Sequence, residues 1–169
     1  MKERVLRMNT IVSVDKNWGI GYQNDLLFHV PEDMRFFKSM TTGKTVVMGE
    51  KTFYSLPNQK PLKDRNNIVL SDNPSLRIEG VTVCNSLEEL LSHLKQFNPE
   101  DVFIIGGQAV YELMLPYCSA AFITQFNARA EADKHFPNLS KSKEWKLAER
   151  STPVESKGLT FTFDRYERV

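Results

Sequence analysis

The chain has 169 residues, of which 41% are hydrophobic and 25% charged, and its formal net charge is +1. This length and composition are typical of one globular domain with a core of its own. The near-neutral charge, without a basic stripe, argues against a nucleic-acid partner, and no apolar run is long enough to predict a membrane span. Cys84 and Cys118 are far apart, which favours reduced thiols in a cytoplasmic protein, and the three scattered histidines argue against a metal site.

Residues 1–7 are charged and are not followed by an apolar run, which is unlike a signal peptide. We interpret them as a short native extension or a remnant of expression, because Met8 would itself be a natural start. Residues 8–169 are then predicted to form a single domain.

Short apolar runs alternate with helical segments along most of the chain. The runs are typical of strands covered on both faces, and they occupy residues 10–14, 44–49, 66–71, 81–84 and 101–107. Helices are predicted over residues 31–40, 51–56, 86–97 and 108–115, the third opening with a Ser-x-x-Glu capping box. This alternation predicts an α/β fold with a mostly parallel sheet. Two alternating runs, 144–150 and 159–168, predict a C-terminal antiparallel hairpin that closes the sheet edge.

The connection between the first strand and the first helix, residues 15–27, is unusually long. It contains two glycines and a tryptophan and has no clear periodicity. Long connections of this kind in compact domains are often functional. We therefore favour a lid over a plain surface loop, with Trp18 as the side chain that it can bury.

Two adjacent acids, Glu32 and Asp33, follow Pro31 at the start of the first predicted helix. The residues three, four and seven positions after Asp33 are all apolar, whereas Glu32 shares its face with Arg35. Glu32 is therefore predicted on the solvated side. Asp33 is either a turn residue that binds backbone amides or a carboxylate that awaits a polar ligand in an apolar cleft. Desolvation would raise its pKa and the helix dipole would lower it.

Three predicted strands end in residues suited to binding an anion. Glycines there let a phosphate approach the backbone, and free N–H groups at a following helix start attract negative charge. None of the three is specific by itself, since the standard dinucleotide and P-loop fingerprints are absent and Gly-Gly pairs are often mere turns. The residues concerned are Gly49, Lys51, Thr52, Ser71, Gly106 and Gly107.

Taken together, these segments resemble dihydrofolate reductases along residues 8–169. The matching segments, in the family's order, are VSVDKNWGIG, VPEDMRFFK, GKTVVMGEKTFYSL, KPLKDRNNIVLS, VFIIGGQAVYELMLP, FITQF and ADKHFP. The resemblance implies a doubly wound sheet of about eight strands with four flanking helices. It also implies NADPH-dependent reduction of 7,8-dihydrofolate to tetrahydrofolate.

The resemblance also assigns roles to single positions. Asp33 matches the carboxylate that orients and polarises the pterin, and Thr124 matches the threonine linked to it, so these two are the expected catalytic residues. Arg65 matches the arginine that binds the glutamate tail of folate. The expected substrate-binding residues are Ile11, Val12, Ser13, Phe28, Met34, Phe37, Leu56, Leu62, Arg65 and Ile105. The expected cofactor-binding residues are Ile20, Gly21, Gly49, Lys51, Thr52, Ser71, Gly106, Gly107, Gln108, Val110 and Tyr111.

The sequence departs from the family pattern near the expected 2′-phosphate of the cofactor. Glu50 and Ala109 stand where relatives often have arginine, and Asp72 adds a negative charge. Lys51 and Arg77 could compensate. We therefore expect a weaker preference for NADPH than in most relatives, with NADH use possible.

Other functions compete with this interpretation. A pyrimidine reductase of riboflavin synthesis shares the fold but would need neither Asp33 nor Arg65. A non-catalytic pterin- or nucleotide-binding module would bind without turnover, and a short-chain dehydrogenase lacks support because the first strand has no glycine motif. The expected partners are dihydrofolate and antifolate-type inhibitors, with no nucleic acid and no membrane. We expect a cytoplasmic monomer.

Overall fold

The computed structural model describes residues 6–169, so most of the predicted N-terminal extension lies outside the described residues. The strands are β1 (Met8–Val14), β2 (Gly19–Tyr22), β3 (Asp25–Leu26), β4 (Thr45–Gly49), β5 (Asn66–Leu70), β6 (Val81–Cys84), β7 (Val102–Gly106), β8 (Cys118–Phe126), β9 (Lys134–His135), β10 (Trp145–Arg150), β11 (Val154–Ser156) and β12 (Leu159–Arg168). The helices are α1 (Pro31–Thr41), α2 (Glu50–Tyr54), α3 (Leu87–Leu94) and α4 (Gln108–Met114). In this described part, no helix has the length and apolar character needed to cross a bilayer.

The central sheet confirms the predicted α/β architecture. Eight strands lie side by side in the order β10-β12-β8-β1-β7-β4-β5-β6, and the short β11 pairs with β12. All pairs from β8 to β6 are parallel, whereas β12 runs antiparallel to β8 and β10. The carboxyl ends of the parallel strands therefore meet at one edge of the sheet, which is where open α/β sheets bind their ligands.

Side chains of the central strands alternate between two apolar clusters. In β4, Val47 belongs to the first cluster, whereas Val46 and Met48 belong to the second. In β7, Ile104 belongs to the first cluster and Phe103 belongs to the second. Side chains of α3 and α4 pack against the first cluster, and those of α1 and α2 pack against the second. Burial on both faces explains why these strands are continuous apolar runs in the sequence.

Two helices end before their predicted ends, and a proline directly explains one of them. The helix predicted over 86–97 ends at Leu94, and its last residues form tight turns before a proline-led 3-10 segment. The helix predicted over 51–56 ends at Tyr54, since Leu56, directly before a proline, is extended. Proline disfavours the helical conformation of the residue directly before it, so the apolar periodicity of α2 continues past the end of that helix.

The capping box of α3 is present in a modified form. Glu89 N donates to Ser86 Oγ at 3.0 Å, as the Ser-x-x-Glu pattern predicts. The Glu89 carboxylate, however, accepts from Asn85 N at 2.6 Å, one residue before the expected backbone amide. The sequence thus predicted the helix start correctly, and the reciprocal bond reaches into the preceding turn.

The predicted C-terminal hairpin is confirmed, with one difference in its position. β10 pairs antiparallel with β12, and Trp145 lies opposite Arg168. β12 is inserted between β10 and β8, so β10 alone of the two strands lies at the edge. This insertion brings β12 alongside β8. The next strand is β1, and ligands are expected at the carboxyl ends of β8 and β1.

The long connection predicted as a lid, residues 15–27, forms part of a second, small sheet. Its strands β2 and β3 pair with each other, and β2 also pairs with β9. Trp18 is only 5% exposed and its ring lies 6.2 Å from the Phe136 ring and 5.9 Å from the Tyr166 ring, measured between centroids. Trp18 is thus buried, as expected, and Asp15 and Ile20 of the same segment are buried as well.

Candidate active site

A carboxylate and a hydroxyl meet where α1 begins beside the carboxyl ends of β1 and β8. Thr124 Oγ1 donates to Asp33 Oδ1 at 2.7 Å, and Ser13 lies next to Thr124 in the strand register. Thr124 is 2% exposed, whereas Asp33 is half-buried. Burial raises the pKa of the Asp33 carboxyl above its ordinary value, although the hydroxyls of Thr124 and Ser13 act in the opposite direction. The site therefore holds an acid that is partly withdrawn from water.

The sequence of α1 determines which acid faces the cleft. Proline occupies the start of the helix, and both acids lie in its first turn. Phe36, Phe37 and Met40 pack against the second cluster, which confirms that the residues sharing a face with Asp33 are on the core side. The Glu32 side chain is 35% exposed, lies 4.0 Å from Arg35 and has its Oε1 buried, so Glu32 is only partly on the solvated side predicted for it.

Most of the predicted apolar walls come together around β1. Phe37, Leu56, Leu62 and Ile105 all pack against the cluster that contains Ile11. These side chains come from α1, from the segment between α2 and β5, and from β7. They form an apolar surface beside Asp33, suited to an aromatic ligand.

The other predicted substrate residues lie outside this wall. Met34 is 58% exposed, and Phe28 stacks on Phe126 with ring centroids 4.4 Å apart. Val12 alternates to the opposite face of β1, where it packs against the first cluster. A ligand next to Asp33 could therefore contact the backbone or the exposed atoms of Met34, Phe28 and Val12, but not their buried faces.

The backbone of β1 is held by a side chain of α4. Tyr111 Oη donates to the Ile11 carbonyl oxygen at 2.8 Å. Burial raises the pKa of the Tyr111 phenol strongly, so the hydroxyl remains a donor at neutral pH. Because a carbonyl oxygen has two lone pairs, Ile11 keeps an acceptor position for a ligand.

Arg65 lies at the opposite end of α1 from Asp33. Its Nη1 donates to Thr41 Oγ1 at 3.0 Å and its Nε donates to the Lys63 carbonyl at 2.9 Å. It borders an open cleft of about 700 Å³ that does not include Asp33. Eight residues of helix separate Asp33 from Thr41, which corresponds to about 12 Å. The two predicted substrate-binding residues therefore lie at opposite ends of α1.

Glycines line the carboxyl ends of β4 and β7. Gly106 has φ of +128° and is joined to Gly107 by a cis peptide bond. A Cβ on Gly49 would lie 3.1 Å from Val110 Cγ2, and a Cβ on Gly107 would lie 3.3 Å from Thr52 Oγ1. A side chain at either position would be tight against Val110 or Thr52, so the packing of the protein itself favours glycine here. The arrangement fits a ligand that approaches the backbone closely.

The chain matches the family model described as "Dihydrofolate reductase" over residues 7–168. The chain belongs to the dihydrofolate reductase family. Among curated relatives, the dihydrofolate reductase of Bacillus subtilis is 37% identical over 160 residues, covering 94% of this chain and 92% of that protein. The Neisseria meningitidis serogroup A enzyme is 37% identical over 165 residues, covering 97% and 99%.

The fold agrees with a solved dihydrofolate reductase from Enterococcus faecalis. That structure has 31% sequence identity to this chain and a TM-score of 0.85, and the match covers 96% of each chain. It is described as a complex with NADP(H) and RAB-propyl. The doubly wound fold expected from the sequence is therefore confirmed.

Glu50, the departure from the dihydrofolate reductase pattern singled out in the sequence, has a specific partner. Ser71 Oγ donates to Glu50 Oε1 at 2.6 Å, across the ends of β4 and β5. Ala109 is exposed on α4. Lys51 is also exposed, whereas the Arg77 guanidinium donates to two carbonyl oxygens of its own loop.

Asp15 is a site-shaping residue that sequence reasoning missed. It is 1% exposed, and its carboxylate accepts from Asn17 N and Gly19 N at 2.8 Å and from Ala130 N at 3.0 Å. These bonds join the lid to the segment between β8 and β9. A second contact between the same segments is Gln23 N donating to the Asp133 carboxylate at 3.1 Å. The sequence signal that could have indicated this role is the position of Asp15 directly after β1 and shortly before Gly19, a pattern typical of a turn in which the acid binds backbone amides.

The predicted lid residues Ile20 and Gly21 lie in β2, and the start of α4 contacts its partner strand. Gln108 Oε1 accepts from His135 N at 2.8 Å, which links α4 to β9. The expected cofactor residues of the lid and of α4 are thus parts of one connected region. Within residues 6–169, no group of three or more His, Cys, Asp or Glu side chains is arranged to hold a metal ion.

Proposed function

We propose that the protein reduces 7,8-dihydrofolate to 5,6,7,8-tetrahydrofolate with NADPH, through a single domain of residues 8–169. The observation that carries this proposal is the 2.7 Å hydrogen bond between Thr124 and the half-buried Asp33 in a dihydrofolate reductase fold. A carboxylate in such a place is costly unless a polar ligand uses it. The pterin ring offers the matching donors.

Asp33 orients and polarises the pterin. Thr124 occupies one acceptor direction of Oδ1, so acceptor positions remain on both carboxylate oxygens. They accept from a ring N–H and from the exocyclic amine of the pterin, a bidentate arrangement that fixes the ring. The negative charge favours positive charge that develops on the ring as N5 takes a proton from water.

Residues along the apolar wall and at the far end of α1 position the rest of the substrate. Phe37, Leu56 and Leu62 enclose the aromatic rings and exclude water, while Ile11 offers its carbonyl oxygen. Arg65 keeps donors beyond those used by Thr41 and Lys63, and these suit a carboxylate of the glutamate tail. The separation of Asp33 and Arg65 suits a long substrate.

The cofactor site is formed by the glycine-lined strand ends. NADPH supplies the hydride that C6 of the pterin receives. The residues that would hold it are Ile20, Gly21, Gly49, Lys51, Thr52, Ser71, Gly106, Gly107, Gln108, Val110 and Tyr111. The glycines at these strand ends support this assignment, because a residue without a side chain lets a pyrophosphate approach the backbone.

We further propose a cytoplasmic monomer whose partners are small molecules, including antifolate-type inhibitors that place a charged diamino ring on Asp33. Both cysteines are free and buried, which suits a reducing compartment. Elution as a monomer in size-exclusion chromatography with light scattering would support this state, and a stable dimer would contradict it.

The reaction is tested by mixing the protein with dihydrofolate and NADPH and following the loss of reduced-nicotinamide absorbance. Tetrahydrofolate should form in equimolar amount to the NADPH consumed. A ribosyl-aminopyrimidine serves as the competing substrate, since a pyrimidine reductase would turn over this compound. Turnover of the pyrimidine alone, or cofactor binding without any turnover, would contradict the proposed function.

A further inference from the structure

A second carboxylate–hydroxyl pair lies at the same sheet edge as the first. Ser71 Oγ donates to Glu50 Oε1 at 2.6 Å and accepts from Asn73 N at 3.1 Å. Ser71 is only 6% exposed, and Glu50 is half-buried. Both hydrogen-bonding directions of the serine are thus used within the protein, and its proton is directed at the carboxylate.

The order of strands places this pair at one end of the cofactor site. Thr124 belongs to β8, the glycine pair follows β7, Thr52 lies after β4, and Ser71 follows β5. A dinucleotide with its nicotinamide near Asp33 and its pyrophosphate at the glycines extends in the direction of β5. Its adenosine ribose therefore reaches the ends of β4 and β5.

We propose that Glu50, held by Ser71, is a specificity-determining residue for the adenosine ribose and favours a free 2′-hydroxyl. An acid after a strand of a dinucleotide site accepts a hydrogen bond from the ribose 2′-hydroxyl, whereas a 2′-phosphate needs a cation there. The inference rests on the proposed function, because it takes the ligand to be a nicotinamide dinucleotide. NADH then serves as a hydride donor alongside NADPH.

The surrounding charges support this selectivity. Asp72 follows Ser71 directly and is exposed. Arg77, the arginine of the same loop, donates to the carbonyl oxygens of Pro74 and Leu76 at 3.1 and 2.9 Å. A 2′-phosphate bound at these strand ends would have the acids Glu50 and Asp72 as neighbours in the chain, and Lys51 and the Arg77 donors other than Nη1 as the available cations. Negative charges near a 2′-phosphate weaken its binding.

The test measures equilibrium binding of 5′-ADP and 2′,5′-ADP by isothermal titration calorimetry, together with NADH and NADPH. The two nucleotides report on the ribose alone and require no turnover. We expect the dissociation constants within each pair to agree within about tenfold. A preference for the 2′-phosphate above about tenfold would overturn the inference, while dihydrofolate turnover would still uphold the proposed function.

Variants at position 50 separate charge from shape. Glu50→Gln keeps the size and a hydrogen-bond acceptor for Ser71, and we expect it to improve the affinity for 2′,5′-ADP relative to 5′-ADP by about tenfold or more. Glu50→Arg should move the ratio further in the same direction. Glu155→Gln, an exposed acid on β11, is the matched control. An unchanged ratio in Glu50→Gln would overturn the inference.

Discussion

Asp33, in α1, and Asp164, in β12, are two carboxylates that both lie next to β8, yet their surroundings differ in kind. The side chain of Asp164 is 0% exposed, and Arg150 donates to both of its oxygens at 3.0 and 2.7 Å. Thr162 adds a further bond at 2.8 Å. Asp33, which accepts from the hydroxyl of Thr124, has its pKa raised by burial.

This difference distinguishes a structural acid from a functional one. A buried carboxylate with a bidentate arginine has its charge balanced by the fold itself. A carboxylate that faces a cleft with only hydroxyl support has unused capacity to bind a ligand. Substitutions at the two positions should therefore affect different measured quantities.

The largest expected effect is the loss of activity in Asp33→Asn. The amide keeps the shape but loses the charge and one acceptor, so kcat/KM for dihydrofolate should fall by about 10²–10⁴-fold. Steady-state kinetics measure this loss, with circular dichroism confirming that the variant is folded. Activity within a few-fold of the wild type would remove Asp33 from the catalytic centre.

Asp164→Asn should instead reduce stability. It breaks a buried charge pair, but the Arg150 side chain is 48% exposed and can be solvated again, so we expect a loss of about 1–3 kcal/mol in the free energy of unfolding. The pKa of Arg150 is raised mainly by its hydrogen bond to Asp164, which agrees with a favourable pair. Urea denaturation gives the value, and kcat/KM per folded molecule should remain unchanged. Wild-type stability would show that the pair contributes nothing.

Arg65→Lys should weaken the binding of substrate without slowing the chemistry. Lysine keeps the charge but loses the planar pair of donors, so the KM for dihydrofolate should rise by about tenfold at unchanged kcat. Dihydropteroate, which lacks the glutamate tail, is the control substrate and should not distinguish the variant from the wild type. Equal effects on both substrates would contradict the assigned tail contact.

The smallest expected effect is a gain in stability from Asp33→Asn. The folded pKa of Asp33 lies above its unfolded value, so the native state binds more protons and stability falls as pH rises through the interval between the two pKa values. At neutral pH the full cost is present, and removing the charge should stabilise the ligand-free protein by about 0.5–1 kcal/mol. Urea unfolding over a pH series measures this gain, which should disappear below the unfolded pKa. A less stable variant at neutral pH would contradict the account.

Local patterns in the sequence predicted much of the sheet and the helix that carries Asp33. The continuous apolar runs at 44–49 and 101–107 correspond to β4 and β7 because burial on both faces removes polar residues from the sequence. Helical periodicity correctly placed Phe36, Phe37 and Met40 on the core side, whereas Glu32 is less solvated than the periodicity indicated. These features depend on residues that are close in the chain.

Features that depend on distant residues could not be predicted from patterns alone. β8, which carries Thr124, begins with small residues and lacks a clear alternation, so only the family resemblance indicated it. The Ser71–Glu50 bond joins the residue after β5 to α2, the Arg150–Asp164 bond joins β10 to β12, and the small sheet formed by β2 and β3 needs β9 from far along the chain. Helix ends were overestimated where proline effects compete with apolar periodicity.

The most direct test of the role of Asp33 is a single-turnover measurement of hydride transfer. Wild type and Asp33→Asn are each saturated with NADPH and mixed rapidly with saturating dihydrofolate, and nicotinamide absorbance is followed during the first turnover. The account predicts that hydride transfer itself slows by about a hundredfold or more in the variant, because the carboxylate polarises the ring. An unchanged rate, with only the affinity for dihydrofolate reduced, would show that Asp33 merely binds the substrate and would contradict the account.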